Sequence, residues 1–438
     1  MTSKRILEIN NRVLRSFLLV FAAFTFMNAI AAPAQQAGIG HSPLAQPFAY
    51  VTNSNSSSVS VIDTSTNTVT ATIGVQSRPI GVAFTPNGSR VYVANSESAS
   101  VSVIDTATNT VITSVPVGQF PQGLTITPDG SRAYVVNSSS ASVSVIATAT
   151  NTVIATVPVG TVPEGVAITP DGSRAYVTNA NPALVSVIAT ASNTVIATVV
   201  VGTNPIGVAI TPDGSRAYVA NLLSNSVSVI STATNNVVAT IAIFSPVSVA
   251  FTPDGSRAYV TSSSATTGSV SVVDTASNTV IATVGVGADD QNLAISPDGT
   301  LAYVACFGTD SVFVIDTATN TVTTTVAVGS EPVGMAITPN PRSTTSTSLT
   351  SSLNPSTYGQ AVTWTATVMS SGTAAPTGRV NFKSDGVGIG AGTLNSSGVA
   401  TFTSSILKPG AHRITATYTG DAANLGSTSA ILHQGVKQ

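Results

Sequence analysis

Apolar residues fall in short bursts of four to six along most of the chain, dominated by Val, Ile, Thr and Tyr, and no stretch shows the 3.6-residue spacing of an amphipathic helix. Read from Gly165, one stretch runs GVAITPDGSRAYVTN, then a loop, then VSVIATASNTVIATVVVG. It predicts four strands: a over 165–169, b over 174–179, c over 185–188 and d over 194–199. The pattern is periodic. Tyr-Val recurs at Tyr50, Tyr92, Tyr134, Tyr176, Tyr218, Tyr259 and Tyr303, at spacings of 42, 42, 42, 42, 41 and 44 residues. A period near 40 with four antiparallel strands per unit is the layout of a β-propeller blade.

The polar positions between the strands read as turns. Pro-Asp-Gly stands between a and b at Pro128–Gly130, Pro170–Gly172, Pro212–Gly214, Pro253–Gly255 and Pro297–Gly299. Pro presets φ, Asp caps the turn with its side chain, and Gly takes the positive φ. Asp63, Asp105, Asp274 and Asp316 serve the c–d turn, where Ala147, Ala189 and Ser231 replace them in other units. Such interchange marks turn formers, because a catalytic carboxylate does not alternate with alanine.

The ends of the repeat predict closure. Tyr50 has no strand a before it, and Gly334-Met335-Ala336-Ile337-Thr338 is a strand a with no strand b after it. Pairing the two completes a seventh blade and removes the open edges of a linear stack. The expected fold is therefore all-β, a seven-bladed propeller closed by its own first and last strands. The segments AYVTN at Ala49–Asn53 and Ala175–Asn179, with the recurrent TPDGSR and NTVIATV, resemble the YVTN-type β-propeller repeat family over about Phe48 to Pro341. That resemblance implies a seven-bladed propeller and an envelope or surface setting, and carries little about activity.

After Pro341 the period stops and Arg342–Ser348 reads as a Ser/Thr-rich linker. Alternation returns at Val362, Trp364, Ala366 and Val368, at Val380 and Phe382, at Val399 and Thr401, and at Ile414, Ala416 and Tyr418. Several short strands in a domain of this size predict a β-sandwich, with Trp364 in its core. LTSSLNPSTYGQAVTWTATV, PTGRVNF, GVATF and HRITATYTGD resemble the bacterial immunoglobulin-like repeat, with a departure at Ala423–Leu425.

Composition narrows the function. The chain has 438 residues, of which 8% are charged, with a formal net charge of -2, three His and one Cys. No positive footprint exists for nucleic acid, and one Cys excludes a disulfide framework or a cysteine-based zinc site. At the N-terminus Lys4, Arg5, Arg12 and Arg15 precede an apolar run from Phe17 to Ala32 and the triplet Ala29-Ile30-Ala31. This is the layout of a secretory signal peptide over 1–31. Its removal leaves 12 basic and 17 acidic residues. The expected division is a signal peptide at 1–31, a linker at 32–46, the propeller at 47–341 and an immunoglobulin-like domain with its short linker at 342–438.

Charge also sorts by face. In a propeller the b–c and d–a loops share one side, and the acidic residues outside the repeated turns, Glu97, Glu164, Asp289, Asp290, Asp310 and Glu331, all fall there with only Arg78 to offset them. Arg90, Arg132, Arg174, Arg216 and Arg257 lie on the other side, beside the turn aspartates that they are expected to neutralise. The loop face also holds Phe120, Leu222, Leu223, Phe244 and Phe307. Unlike residues on an otherwise repeated scaffold mark a binding surface. The candidate face is Arg78, Phe120, Glu164, Phe244, Asp289, Asp290, Gln291, Phe307 and Glu331.

Asp289-Asp290-Gln291 replaces the usual Pro-x-Gly step. With Glu164 it offers three carboxylates to a hard cation such as calcium, which takes six to eight oxygen ligands; three such residues make a thin case, and no metal and no cofactor is assigned. His41, His412 and His433 lie outside the propeller, leaving it no imidazole base, and Cys306 has no partner to activate it. The reading is a secreted or cell-surface, monomeric, non-catalytic binding or adhesion scaffold with a protein or carbohydrate partner and no membrane span after cleavage. Its competitor is a lactonase-like propeller hydrolase or lyase using the channel-mouth carboxylates Glu164, Asp289 or Asp290.

Overall fold

A computed structural model describes residues 47–438 apart from 340–342, 344, 373–374, 422–423 and 425. The expected signal peptide and its linker lie outside the described residues, as do Ala423 and Leu425. No helix among the described residues is long and apolar enough to cross a membrane.

Seven four-stranded antiparallel sheets are formed by the described residues of the repeat. Blade 1 joins Phe48–Asn53, Ser58–Asp63 and Thr68–Gly74 to the last strand of the repeat, Pro332–Ile337. Blades 2 to 7 follow in chain order over 79–116, 121–158, 161–200, 205–242, 246–286 and 290–327. The seven strands a touch one another in a closed cycle, with Pro332–Ile337 against both Pro79–Phe84 and Asp290–Ile295. The predicted closure holds: Ala49 pairs with Ile337 and Val51 with Met335 in an antiparallel ladder.

The blades cohere through alternating apolar side chains and one repeated polar device. Cores span neighbours, as where Tyr92, Val101 and Val103 of blade 2 pack with Leu124, Val135 and Ile146 of blade 3. Each repeat tyrosine is buried, and its hydroxyl donates to a c–d turn asparagine of the next blade: Tyr134 to Asn193 Oδ1 at 2.6 Å, Tyr176 to Asn235 at 2.8 Å, and so around to Tyr303, which returns to Asn67 at 2.9 Å. All seven asparagines sit at φ 52° to 55°, a conformation Asn tolerates better than most residues. The residue that shapes the turn is thus also the acceptor that joins the blades.

The turn aspartates do what the sequence predicts. Asp129 Oδ1 accepts from Ser131 N at 3.0 Å, from its hydroxyl, and from Thr127 Oγ1. Partial burial disfavours the Asp129 charge, yet these hydrogen bonds and the nearby Arg132 hold its carboxyl below the usual range. The arginines act on these aspartates as expected and have a second role. Each reaches across to a backbone carbonyl of the next blade, Arg90 to Thr148, Arg132 to Thr190, Arg174 to Thr232, Arg216 to Thr275 and Arg257 to Thr317, at 2.6–3.0 Å. Among the described residues the one arginine–carboxylate ion pair of the propeller is Arg78–Glu97. The repeated arginines thus supply interblade contact besides charge beside the turn aspartates.

The C-terminal region forms two sheets. Thr345–Ser351, Val362–Ser370 and Val399–Ser404 make one; Ser356–Thr357, Leu432–Lys437, Gly410–Tyr418, Arg379–Ser384 and Val387–Thr393 make the path of the other. The first strand begins at Thr345, inside the segment read as a linker, because its hydroxyl-rich sequence pairs with Val362–Ser370. Trp364 is fully buried and stacks on Phe402 with centroids 6.0 Å apart.

Candidate functional site

Strand polarity puts the b–c and d–a loops on one side, and backbone bonds join them there, Ser96 N to Arg78 O at 2.9 Å and Val117 N to Ala99 O at 3.0 Å. The residue just before the proline of strand a, or before Asp290 in blade 7, is left-handed in every blade: Arg78, Phe120, Val162, Asn204, Ser245, Asp289 and Glu331 have φ between 47° and 57°. Six of these seven carbonyls accept an N–H from the b–c loop of the same blade, among them Phe120 O from Ser138 N and Glu331 O from Ser54 N. The backbone does the structural work, which frees the side chain. Seven blades carry seven different residue types there, four of them on the candidate face named from the sequence. Apart from Asn204 and Asp289, all depart from the residues that favour this conformation, at roughly 1–2 kcal/mol each.

Arg78 lies over the Phe120 ring, 5.7 Å to the centroid, and 3.5 Å from Glu97, whose other oxygen accepts from Ser77 Oγ at 2.9 Å. Glu331 accepts from Ser54 Oγ at 3.2 Å, and its N–H donates to Asp310 Oδ1 at 2.8 Å. Phe244 is exposed, while Phe307 is half-buried in the short turn Phe307–Thr309. A cleft of about 560 Å³ opens between blades 2 and 3, lined by Pro116, Gly118, Ser140 and Ser142 among others. No sequence signal pointed to it, since its walls come from two blades.

The sequence places Glu164, Asp290 and Gln291 in loops, and the structure corrects this. Strand a begins at the proline, two residues before it in blade 4, or at Asp290 in blade 7, so all three belong to the innermost strands Thr161–Ile168 and Asp290–Ile295. Asp290 is fully buried, its Oδ2 accepting from Ser262 N at 3.1 Å. Ser262 stands where blades 1 to 5 have Asn53, Asn95, Asn137, Asn179 and Asn221. The Asp290 carboxyl therefore extends from blade 7 toward a position that carries a carboxamide in five other blades. Burial pushes it up to about 7. It is absent from the exposed face, and Asp289, half-buried, is raised by the same cause.

Just inside the d–a loops, strand a falls out of register with strand b in every blade, skipping Ile80-Gly81, Gln122-Gly123, Glu164-Gly165, Ile206-Gly207, Val247-Ser248, Gln291 and Val333-Gly334. Strands a pair with strand b on one edge and meet the strands a of the neighbouring blades around the ring. They touch one another: a Cβ on Gly81, Gly123, Gly165, Gly207 or Gly334 would lie 1.9–2.7 Å from a carbonyl of the next bulge. Only glycine permits that approach. The result is a collar whose eight non-glycine residues are the aliphatic Ile80, Ile206, Val247 and Val333 with Gln122, Gln291, Ser248 and Glu164. Glu164 is half-buried, and burial pushes its carboxyl up to about 7.

Residues 349–437 match the bacterial Ig-like domain (group 3) family. Comparison of the sequence with curated proteins yields no match. Among solved structures, the chain is similar to Kuenenia stuttgartiensis hydrazine synthase at 26% identity, covering 58% of this chain and 88% of that one with a TM-score of 0.55. A functionally unknown protein from Desulfotomaculum acetoxidans aligns at 21% identity over 66% of this chain and 98% of its own, with a TM-score of 0.60. A protein put forward as a 6-phosphogluconolactonase in Bacteroides uniformis aligns at 18% identity over 67% and 99%, with a TM-score of 0.57. The likenesses support a β-propeller followed by an Ig-like domain.

Proposed function

We propose that the protein is a secreted or cell-surface binding scaffold of the YVTN-type repeat family, with a signal peptide over 1–31, a linker over 32–46, a propeller over 47–341 and an Ig-like module after it. The b–c and d–a loop face meets a protein or carbohydrate partner. One observation carries the reading: seven equivalent left-handed positions on one rim hold seven different side chains, while the buried positions of the same blades are nearly identical. Backbone strain retained at variable, accessible positions is what a recognition surface uses. The alternative is a lactonase-like hydrolase or lyase; it keeps Glu164 and Asp289 as its carboxylates, while Asp290 is buried against Ser262.

The test is an array of cell-wall glycans and envelope proteins probed with the purified protein. Capture of a partner, weakened at least tenfold by the double substitution Arg78→Ala and Phe120→Ala and unchanged by Ile154→Thr on an outer strand, is the expected outcome. Capture indifferent to the rim substitutions, or turnover of a lactone or ester panel with no capture, would overturn it.

A further inference from the structure

The collar holds an acid without a base. Glu164 is its one carboxylate, and among the described residues no hydrogen-bond donor or cation meets that carboxyl group. The arginines of the propeller are committed elsewhere, five to carbonyls on the opposite side and Arg78 to Glu97. Gln122 occupies the same bulge position on the adjacent inner strand, is only 7% exposed, and its carboxamide likewise has no partner among the described residues. On the other side the equivalent residue is Ile206, whose carbonyl is held by Thr178 Oγ1 at 2.6 Å. Removing a carboxylate from water beside aliphatic neighbours is costly unless a cation or donors replace the lost hydration.

We propose, building on the loop-face reading above, that Glu164 and Gln122 form the polar end of a site for an organic cation, an ammonium or guanidinium head carried on an aliphatic shaft. The head supplies the charge and donors that Glu164 lacks, the Gln122 amide oxygen is a second acceptor, and the aliphatic collar residues suit the shaft. Carboxylate-to-guanidinium or ammonium hydrogen bonds are among the stronger ones, and a site with no cation of its own selects for a ligand that brings one.

Titration of the full chain with butylammonium and with methylguanidinium, against 1-butanol as the neutral isostere, tests this by calorimetry or NMR. Both cations should saturate the protein and butanol should not. Glu164→Gln should weaken cation binding at least tenfold with the melting transition retained, Gln122→Leu should weaken it about threefold, and Asp63→Asn on the opposite side should leave it unchanged. Equal binding of butanol, unaltered cation binding in Glu164→Gln, or no saturation by either cation would overturn the site. Partner capture on the array without cation saturation removes this site and leaves the loop face standing; cation saturation without capture supports the site and counts against the wider face.

Discussion

Asp290 illustrates how one side chain can be mistaken for its neighbour. Asp289 and Asp290 are adjacent and identical in type, yet only one is wholly buried, because strand a begins between them. Burial favours the protonated form of Asp290, so the folded state holds its proton to about pH 7 while an unfolded chain releases it near 4. The folded state then binds more protons than the unfolded state between those values. The stabilisation is fully present below about pH 4 and is lost as pH rises toward 7. Asp290→Asn keeps an acceptor for Ser262 N and removes the titration. The substitution should leave the melting temperature nearly unchanged at pH 4 and raise it by several degrees at pH 8; an unchanged slope against pH would show that another group titrates. Glu164 and Asp289, raised by burial in the same direction, add to this slope, while turn aspartates such as Asp129, held below the usual range, contribute one of opposite sign at lower pH.

Strands and turns were the legible level, and the reason is repetition. The Pro-Asp-Gly turns, the four-strand unit and its closure are each encoded within about ten residues and written several times over, so local chemistry and period agree. What stayed hidden acts across blades. Tyr134 and Asn193 are 59 residues apart, and neither looks like a partner until the ring is closed. The Asp290–Ser262 pairing had a signal, the loss of Asn in one blade and of Pro in the next, but reading it needs to know which blades touch. The rim position was hidden for the opposite cause: its shared feature is a backbone angle, while its seven side chains share nothing. The tyrosine–asparagine link can be dissected at this scale. Tyr134→Phe loses one hydrogen bond and should cost about 1 kcal/mol in urea unfolding. Asn193→Gly keeps the turn and should cost a similar amount, whereas Asn193→Ala leaves a Cβ in the left-handed region without the short polar side chain by which Asn tolerates it, and should cost roughly twice that. Equal costs for Gly and Ala would mean the turn conformation contributes little.

The whole molecule depends on one seam. Six junctions of the ring join blades that follow one another along the chain, but blade 1 is completed by a strand that arrives about 280 residues later. Gly334 sits at that seam, where a Cβ would lie 1.9 Å from Ile80 O, and its N–H donates to Thr52 Oγ1 at 2.8 Å. Gly334→Ala should lower the melting temperature more than Gly123→Ala, whose added methyl would stand 2.7 Å from Glu164 O. It should also speed limited proteolysis after Thr52; equal effects of the two would show the seam to be no weaker than any other junction. The same seam has a mechanical side. Phe48 and Thr338 face each other across the ladder, each donating to the other at 2.8 Å, so the chain enters and leaves the ring at the same end of two antiparallel strands. Tension applied through the flanking segments would not shear this ladder all at once. It would unzip it one hydrogen-bonded pair at a time from Phe48–Thr338 inward, yielding at low force while the other six blades carry no load.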